Sequence, residues 1–381
     1  MIPYGRQDIS EEDIAAVAEV LRSDFLTQGP TVPALETAIC DMTGAGHAVA
    51  CANGTAALHL ACLAAGVSQG DMVWTSSLSF AASANCARYC GASIDFVDID
   101  INTGNLCPKA LADKLQNAGK KPKALVAVHF AGQPVDLKEI SELCRQHGVI
   151  LIEDASHALG ATYEDSRIGD CRYSDFTTFS LHPVKIITSG EGGLVTTNNP
   201  EWAKKLQLYR SHGISKDIDD FEVASPGPWY YEMQTLGFNY RLTDIQAALA
   251  LSQLKRLPEF IEKRNQLADH YRQALAGLPV VPLTASENRL SAYHLFVIRL
   301  AETSSINRDT LFHSLREKDI GCQVHYLPIH LMPYYRSLGF KKGDLPITEA
   351  FSEQVLSLPL YPTLTASQQD KVIQALQELL A

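Results

Sequence analysis

The sequence predicts an α/β fold, a largely parallel sheet flanked by helices, with a smaller α+β region toward the C-terminal end. Short apolar runs alternate with amphipathic helical stretches through the first half of the chain, the pattern of repeated strand–helix–strand units. Length is the second observation: 381 residues exceed what one hydrophobic core usually serves. Two domains with a cleft between them are therefore expected, at residues 1–250 and 251–381.

The elements follow in order. Ser10 caps a helix running from Glu11 to Leu21 with acids in its first turn, and Val32 to Met42 reads as a second helix. Apolar runs at Ala48–Cys51, Met72–Trp74, Ile94–Val97, Ala124–Val128 and Val149–Ile152 read as strands. Helical stretches lie between or beside them at Ala56–Ala65, Ala81–Cys90, Pro108–Leu115 and Leu137–His147. Gly193–Thr197 reads as a further strand and Glu201–Tyr209 as a helix. Thr243–Leu275 is a long helical pattern, broken near Pro258 and stopped by Gly277. Beyond it, Ala292–Leu300 and Gln323–Tyr326 look like strands, and Asp309–Glu317 and Ala366–Leu380 like helices.

Composition narrows the function. Hydrophobic residues make up 46% and charged residues 20%, ordinary for a globular protein, and the net charge of -11 argues against nucleic acid as a partner. No run approaches the ~20 apolar residues of a membrane span, and Met1–Arg6 lacks the pattern of a leader, so a cytoplasmic location is expected. Nine cysteines are scattered without a CxxC pair, which indicates neither a disulfide framework nor a zinc site. Cys86 and Cys90 stand one helical turn apart, but without a histidine pair at ligand spacing they read as small core residues rather than metal ligands.

One pairing carries chemistry. Lys185 closes Ser180-Leu-His-Pro-Val-Lys185, precedes Ser189-Gly-Glu-Gly-Gly193, and follows Asp154 at the end of an apolar strand by about thirty residues. A pyridoxal cofactor needs an amine for its Schiff base and a carboxylate to hold the proton on its ring nitrogen. Lys185 and Asp154 supply both, and the carboxyl end of a strand is where open α/β sheets present such groups. Taken alone, Asp154 reads equally well as a helix cap. Asn53-Gly54-Thr55-Ala56-Ala57 follows a strand and opens a helix, so free amides and the helix dipole converge where a phosphate fits. Taken alone, a Gly-Thr turn is ordinary punctuation. Ser180 can donate a second hydrogen bond to the phosphate. Phe80 can stack on a pyridine ring or fill the core, and His157 can pack on the ring's other face, reach its phenolic oxygen, or simply sit satisfied beside the sheet.

Together, Asn53-Gly-Thr-Ala-Ala57, Glu153-Asp-Ala-Ser-His-Ala158, Phe179-Ser-Leu-His-Pro-Val-Lys185, Gly190-Glu-Gly-Gly193 and Gly237-Phe-Asn-Tyr-Arg-Leu-Thr-Asp244 resemble the DegT/StrS sugar aminotransferases over essentially the whole chain. The resemblance implies fold type I of the pyridoxal phosphate enzymes, the aspartate aminotransferase-like fold. It implies Lys185 as the Schiff-base lysine, Asp154 at the ring nitrogen, and Gly54, Thr55, Ala56 and Ser180 around the phosphate. Asn239 matches the asparagine that a neighbouring subunit lends to the phosphate site, implying a homodimer with shared active sites. Leu26-Thr-Gln-Gly-Pro30, His129-Phe-Ala-Gly-Gln-Pro134 and His325-Tyr-Leu-Pro-Ile-His330 look closer to the branch of the pseudaminic acid pathway. That branch implies L-glutamate and a UDP-linked 4-keto sugar as substrates, with Tyr4, Gln28, His212, His325 and Tyr326 as candidates for the sugar pocket. Another nucleotide keto sugar would leave every catalytic residue unchanged. Lys185 argues against the related dehydratases, which resemble a histidine-for-lysine variant, and no basic helix-turn-helix segment is read that would suit a pyridoxal-sensing regulator.

Overall fold

The alternating half of the chain folds into one mixed sheet whose strand ends converge on a single cavity. The computed structural model describes residues 1–284 and 286–380. In chain order its strands are His47–Cys51 (β1), Met72–Ser76 (β2), Ser93–Val97 (β3), Ala124–Val128 (β4), Ile150–Asp154 (β5), Thr162–Tyr163 (β6), Ser166–Arg167 (β7), Phe176–Ser180 (β8) and Gly193–Thr197 (β9). The later strands are Ile214–Ser215 (β10), Glu232–Met233 (β11), Val280–Pro282 (β12), Arg289–Leu290 (β13), Phe296–Leu300 (β14) and Val355–Leu358 (β15). The main sheet has the order β1-β9-β8-β5-β4-β2-β3, with β9 antiparallel to both its neighbours and the remaining pairs parallel. Central β4, Ala-Leu-Val-Ala-Val, is buried along its whole length, as a strand covered by helices on both faces must be.

The helices are Glu11–Arg22 (α1), Thr31–Thr43 (α2), Gly54–Ala64 (α3), Ala82–Tyr89 (α4), Pro108–Asn117 (α5), Leu137–His147 (α6) and Pro200–Arg210 (α7). After them come Asp244–Lys255 (α8), Leu257–Ala274 (α9), Arg308–Glu317 (α10), Pro333–Arg336 (α11), Pro346–Gln354 (α12) and Ala366–Leu380 (α13). Ser10 caps α1 in a capping box with Asp13, which stabilises the helix start by about 1 kcal/mol. The long helical pattern breaks at Arg256, two residues before Pro258, which occupies the first turn of α9. The expected boundary between residues 250 and 251 falls inside α8.

Apolar clusters cover the two faces of the main sheet, and a separate cluster joins α9, α10 and α13 to the antiparallel sheet β12-β14-β15. Ile2 belongs to that separate cluster, held by a bridge to Ile320. The first residues of the chain thus pack against its last third.

Three expectations about strands need correction. Gln323–Tyr326 is not a strand, since only Gln323 bridges, to Ser357 in β15. The strand expected from Ala292 begins at Phe296, because Ala292 and Leu295 donate instead to the carbonyls of Gly132 and Ala131. Conversely β8, Phe-Thr-Thr-Phe-Ser, is a strand that periodicity does not reveal, because its threonines mask the apolar run. Their hydroxyls are buried, Thr177 against the Glu153 carboxylate at 3.1 Å and Thr178 against the Glu153 carbonyl at 3.1 Å.

Candidate active site

Asp154 and Lys185 face one cavity of about 470 Å³. Asp154 ends β5, and its parallel partner β8 leads into the loop that carries Lys185 before the chain returns along β9. Adjacent residues on β5 point to opposite faces. Glu153 turns inward to His129 at 2.7 Å and Thr177 at 3.1 Å, while Asp154 turns to the cavity. Its carboxylate accepts from the Ser83 hydroxyl at 2.6 Å and the Ser156 amide at 3.1 Å, and Ser79 touches Ser83 at 2.6 Å. These bonds leave the Asp154 side chain one orientation. Lys185 opens partly onto the cavity, and burial of its ammonium pushes its pKa down to about 8, with the Asp154 carboxylate opposing that fall.

The start of α3 forms the cradle expected for a phosphate. Gly54 and Thr55 are its first two residues, so their amides have no acceptor within the helix. Gly54 allows Ser180 to come close, since a Cβ there would lie 2.8 Å from the Ser180 Cβ and 3.1 Å from its hydroxyl. Ala56 departs from expectation: its amide donates to the Asn53 side chain at 2.8 Å, so it is not free for a ligand. The helix cap uses the third amide of that turn and leaves the first two.

The opposite wall comes from distant segments. Tyr4, His157, His294, His325 and Tyr326 all line the cavity. Tyr326 Oη lies 3.2 Å from His157 Nε2, and His325 Nδ1 lies 2.8 Å from the Ser357 hydroxyl. Burial and the nearby Lys185 ammonium push His325 down to about 3 and His157 well below its ordinary value, so both imidazoles are neutral. The chain carrying His325 and Tyr326 is pinned where His330 sits between the Ser77 hydroxyl at 2.8 Å and the Glu349 carboxylate at 3.0 Å. Phe80 stands at the mouth, 62% exposed, so it is not the core aromatic of the alternative reading.

Three candidates lie elsewhere. Gln28, His212 and Asn239 are exposed and do not line the cavity of their own chain. Within one chain, Gln28 and His212 thus stand apart from Tyr4, His325 and Tyr326, which do line the cavity. Sequence reasoning also missed Ser83, Ser156 and His294. The spacing of Ser79 and Ser83, one helical turn apart after a strand, was a legible signal for the first. No local pattern marks His294.

A profile of the DegT/DnrJ/EryC1/StrS aminotransferase family matches residues 7–377. The chain belongs to that family. Among solved structures, the putative sugar aminotransferase Spr1654 from Streptococcus pneumoniae in its PMP form is 30% identical, with a TM-score of 0.93 over 100% of this chain and 99% of its own. Helicobacter pylori PseC, an aminotransferase involved in the biosynthesis of pseudoaminic acid, is 31% identical, with a TM-score of 0.91 over 100% of this chain and 99% of its own. The aminotransferase TlmJ from Streptoalloteichus hindustanus is 29% identical, with a TM-score of 0.90 over 100% and 99%.

As a sugar aminotransferase of this family, the protein has fold type I and uses pyridoxal phosphate. The residues present fit that cofactor: a lysine amine, a fixed carboxylate across the cavity, and a glycine cradle that a Cβ would fill. No helix among the described residues is long and apolar enough to cross a membrane.

Proposed function

We propose that the enzyme moves the amino group of L-glutamate to C4 of UDP-2-acetamido-2,6-dideoxy-β-L-arabino-hexos-4-ulose, giving UDP-4-amino-4,6-dideoxy-N-acetyl-β-L-altrosamine for pseudaminic acid synthesis. The observation that carries the chemistry is Lys185 and Asp154 facing one cavity. The choice of sugar is supported by the full-length likeness to PseC and by Tyr4, His325 and Tyr326 lining the cavity beside the lysine.

Bound pyridoxal phosphate supplies a carbonyl that takes up amino groups and a ring that draws electron density from the substrate carbon. The chain's own residues do the rest. Asp154, held by Ser83 and Ser156, would keep the ring nitrogen protonated in both half-reactions. Gly54, Thr55 and Ser180 would hold the phosphate, Phe80 and His157 would flank the ring, and Tyr4, His325 and Tyr326 would contact the sugar. Because Lys185 titrates near 8, its Nζ is free of its proton in a useful fraction of molecules near neutral pH. It removes the proton from glutamate Cα and later delivers one to sugar C4. Separate half-reactions give ping-pong kinetics with 2-oxoglutarate as first product.

The active form in this reading is a homodimer in which Asn239, Gln28 and His212 of one copy complete the cavity of the other. Their exposure supports it, as do apolar side chains left open on the neighbouring 229–236 stretch, Trp229 at 73% and Leu236 at 77%. The protein acts in the cytoplasm, where nucleotide sugars are made and used.

The experiment is a coupled assay of 2-oxoglutarate release from glutamate with the L-arabino 4-keto UDP sugar against its D-xylo isomer at equal concentration. Strong preference for the L-arabino sugar is expected. Preference for the D-xylo isomer would move the enzyme to another amino-sugar pathway, and no release with either would indicate a different keto sugar.

A further inference from the structure

The chain around His294 is held in place by several independent contacts. Tyr293, just before it, has a left-handed backbone with φ 43°, which a non-glycine residue keeps only where its surroundings enforce it. The buried Arg264 donates Nη1 to the carbonyls of Tyr293 at 3.1 Å, His294 at 3.4 Å and Leu360 at 3.2 Å. Gly132, at φ 97°, lets this chain reach the cavity wall. A Cβ there would lie 2.9 Å from the His294 nitrogen and 2.8 Å from the His157 carbonyl.

These contacts bring the imidazoles of His157 and His294 to a centroid separation of 4.3 Å with their planes tilted by 40°. Each Nδ1 is buried without a hydrogen-bond partner. His157 Nε2 lies 3.2 Å from Tyr326 Oη, whereas His294 lines the cavity. Both rings are neutral, because burial and the positive Lys185 disfavour charging them; His325 acts on both in the same direction, His129 on His157 and Arg264 on His294. A neutral imidazole has a single N–H. On Nδ1 of His294 it would be a buried donor without an acceptor. On Nε2 it points to the cavity, where a ligand oxygen can accept.

We infer that His294 presents its Nε2–H to the cavity as an uncharged donor, and that its acceptor is an oxygen of the bound substrate, a carboxylate of the amino donor or an oxygen of the keto sugar. The identity of these substrates rests on the proposed function. Placing the proton on Nε2 leaves His294 Nδ1 a buried lone pair rather than a buried N–H without an acceptor, the less costly of the two arrangements. An uncharged donor also suits a site whose base is Lys185, since a further positive charge would drain the lysine's basicity.

The inference is tested on the wild-type holoenzyme by ¹⁵N NMR of labelled histidines. The His294 signal is expected to be that of the neutral Nε2–H tautomer between about pH 6 and 8, and to shift when L-glutamate or the keto sugar is added. An Nδ1–H tautomer, or no response to either substrate, overturns it. Kinetics give an independent reading. His294→Leu should raise KM about ten-fold for the substrate whose oxygen accepts, with a smaller change in kcat, and His294→Gln, which keeps an N–H donor, should recover most of that loss. Unchanged KM values, or equal impairment in both variants, overturn the inference. If wild type transaminates neither substrate, the proposed function fails while the tautomer measurement still decides this point.

Discussion

The two walls of the cavity are built in different ways. One comes from the ends of regular elements: β5 gives Asp154, β8 gives Ser180 and leads to Lys185, and the first turn of α3 gives Gly54 and Thr55. The other comes from irregular chain, with Tyr4 near the start of the sequence and His294, His325 and Tyr326 in its last third. On the first wall, Asp154 is held by two hydrogen bonds and the cradle by close backbone packing. On the second, position depends on long-range clasps such as Ser77–His330–Glu349 and Arg264 on its three carbonyls. Under the proposed function, the chemistry falls on the wall that the sheet fixes, and the choice of substrate on the wall that can change without disturbing the sheet.

That division can be broken most sharply at Lys185. Lys185→Ala should lower 2-oxoglutarate release by about a thousandfold or more, with circular dichroism unchanged; retained turnover would show that the first wall does not hold the chemistry. Asp154→Asn preserves shape but removes the charge, and should reduce kcat by roughly a hundredfold with little effect on KM for the sugar. A large change in sugar KM instead would mean that the two walls are not separable. Tyr326→Phe on the second wall should act in the opposite sense, raising sugar KM several-fold by removing one hydrogen bond of about 1 kcal/mol while the first half-reaction with glutamate keeps its rate.

A smaller effect concerns the cradle. Gly54→Ala places a methyl 2.8 Å from the Ser180 Cβ, and relief of that overlap should cost about 1–3 kcal/mol. Weaker cofactor affinity, measured by titrating pyridoxal phosphate into the apoenzyme, should exceed any change in sugar KM.

A separate effect is on stability. Lys185 titrates at about 8 in the folded chain against an ordinary 10.5. Between those values the unfolded chain carries a proton that the folded chain lacks, so this group makes the folded state more stable as pH rises through that window and has its full destabilising effect below 8. In the apoenzyme, Tm measured from pH 8 to 10 should therefore climb more for wild type than for Lys185→Met. Equal slopes would show that the ammonium is better solvated than the cavity implies.

Much of the sheet wall was legible in advance because its signals are local. The alternation of apolar runs located β1 to β5 and β9, and the strand–Asn-Gly-Thr–helix turn located the cradle. The same local logic overextended to Ala56, where a helix cap that also lies within four residues takes the amide. It failed on β8, whose threonines look polar but are satisfied inside by Glu153. It overreached on Gln323–Tyr326, where only Gln323 pairs with β15, at Ser357 more than thirty residues away in sequence. Gln28, His212 and His294 show the same limit from both sides: two histidine and glutamine candidates fall outside their own cavity, and a histidine without any motif falls inside it.

Periodicity, caps and turn residues act over a few positions, and so most elements, their order and the pairing of a lysine with a strand-end carboxylate are written in the chain itself. How Asp154 is oriented, which amides of the cradle are free, and which histidines line the cavity are set by the folded chain. Those outcomes depend on contacts such as Ser83 to Asp154, Gly54 to Ser180 and Gly132 to His294, in which residues far apart along the chain compete for the same hydrogen bonds and the same space.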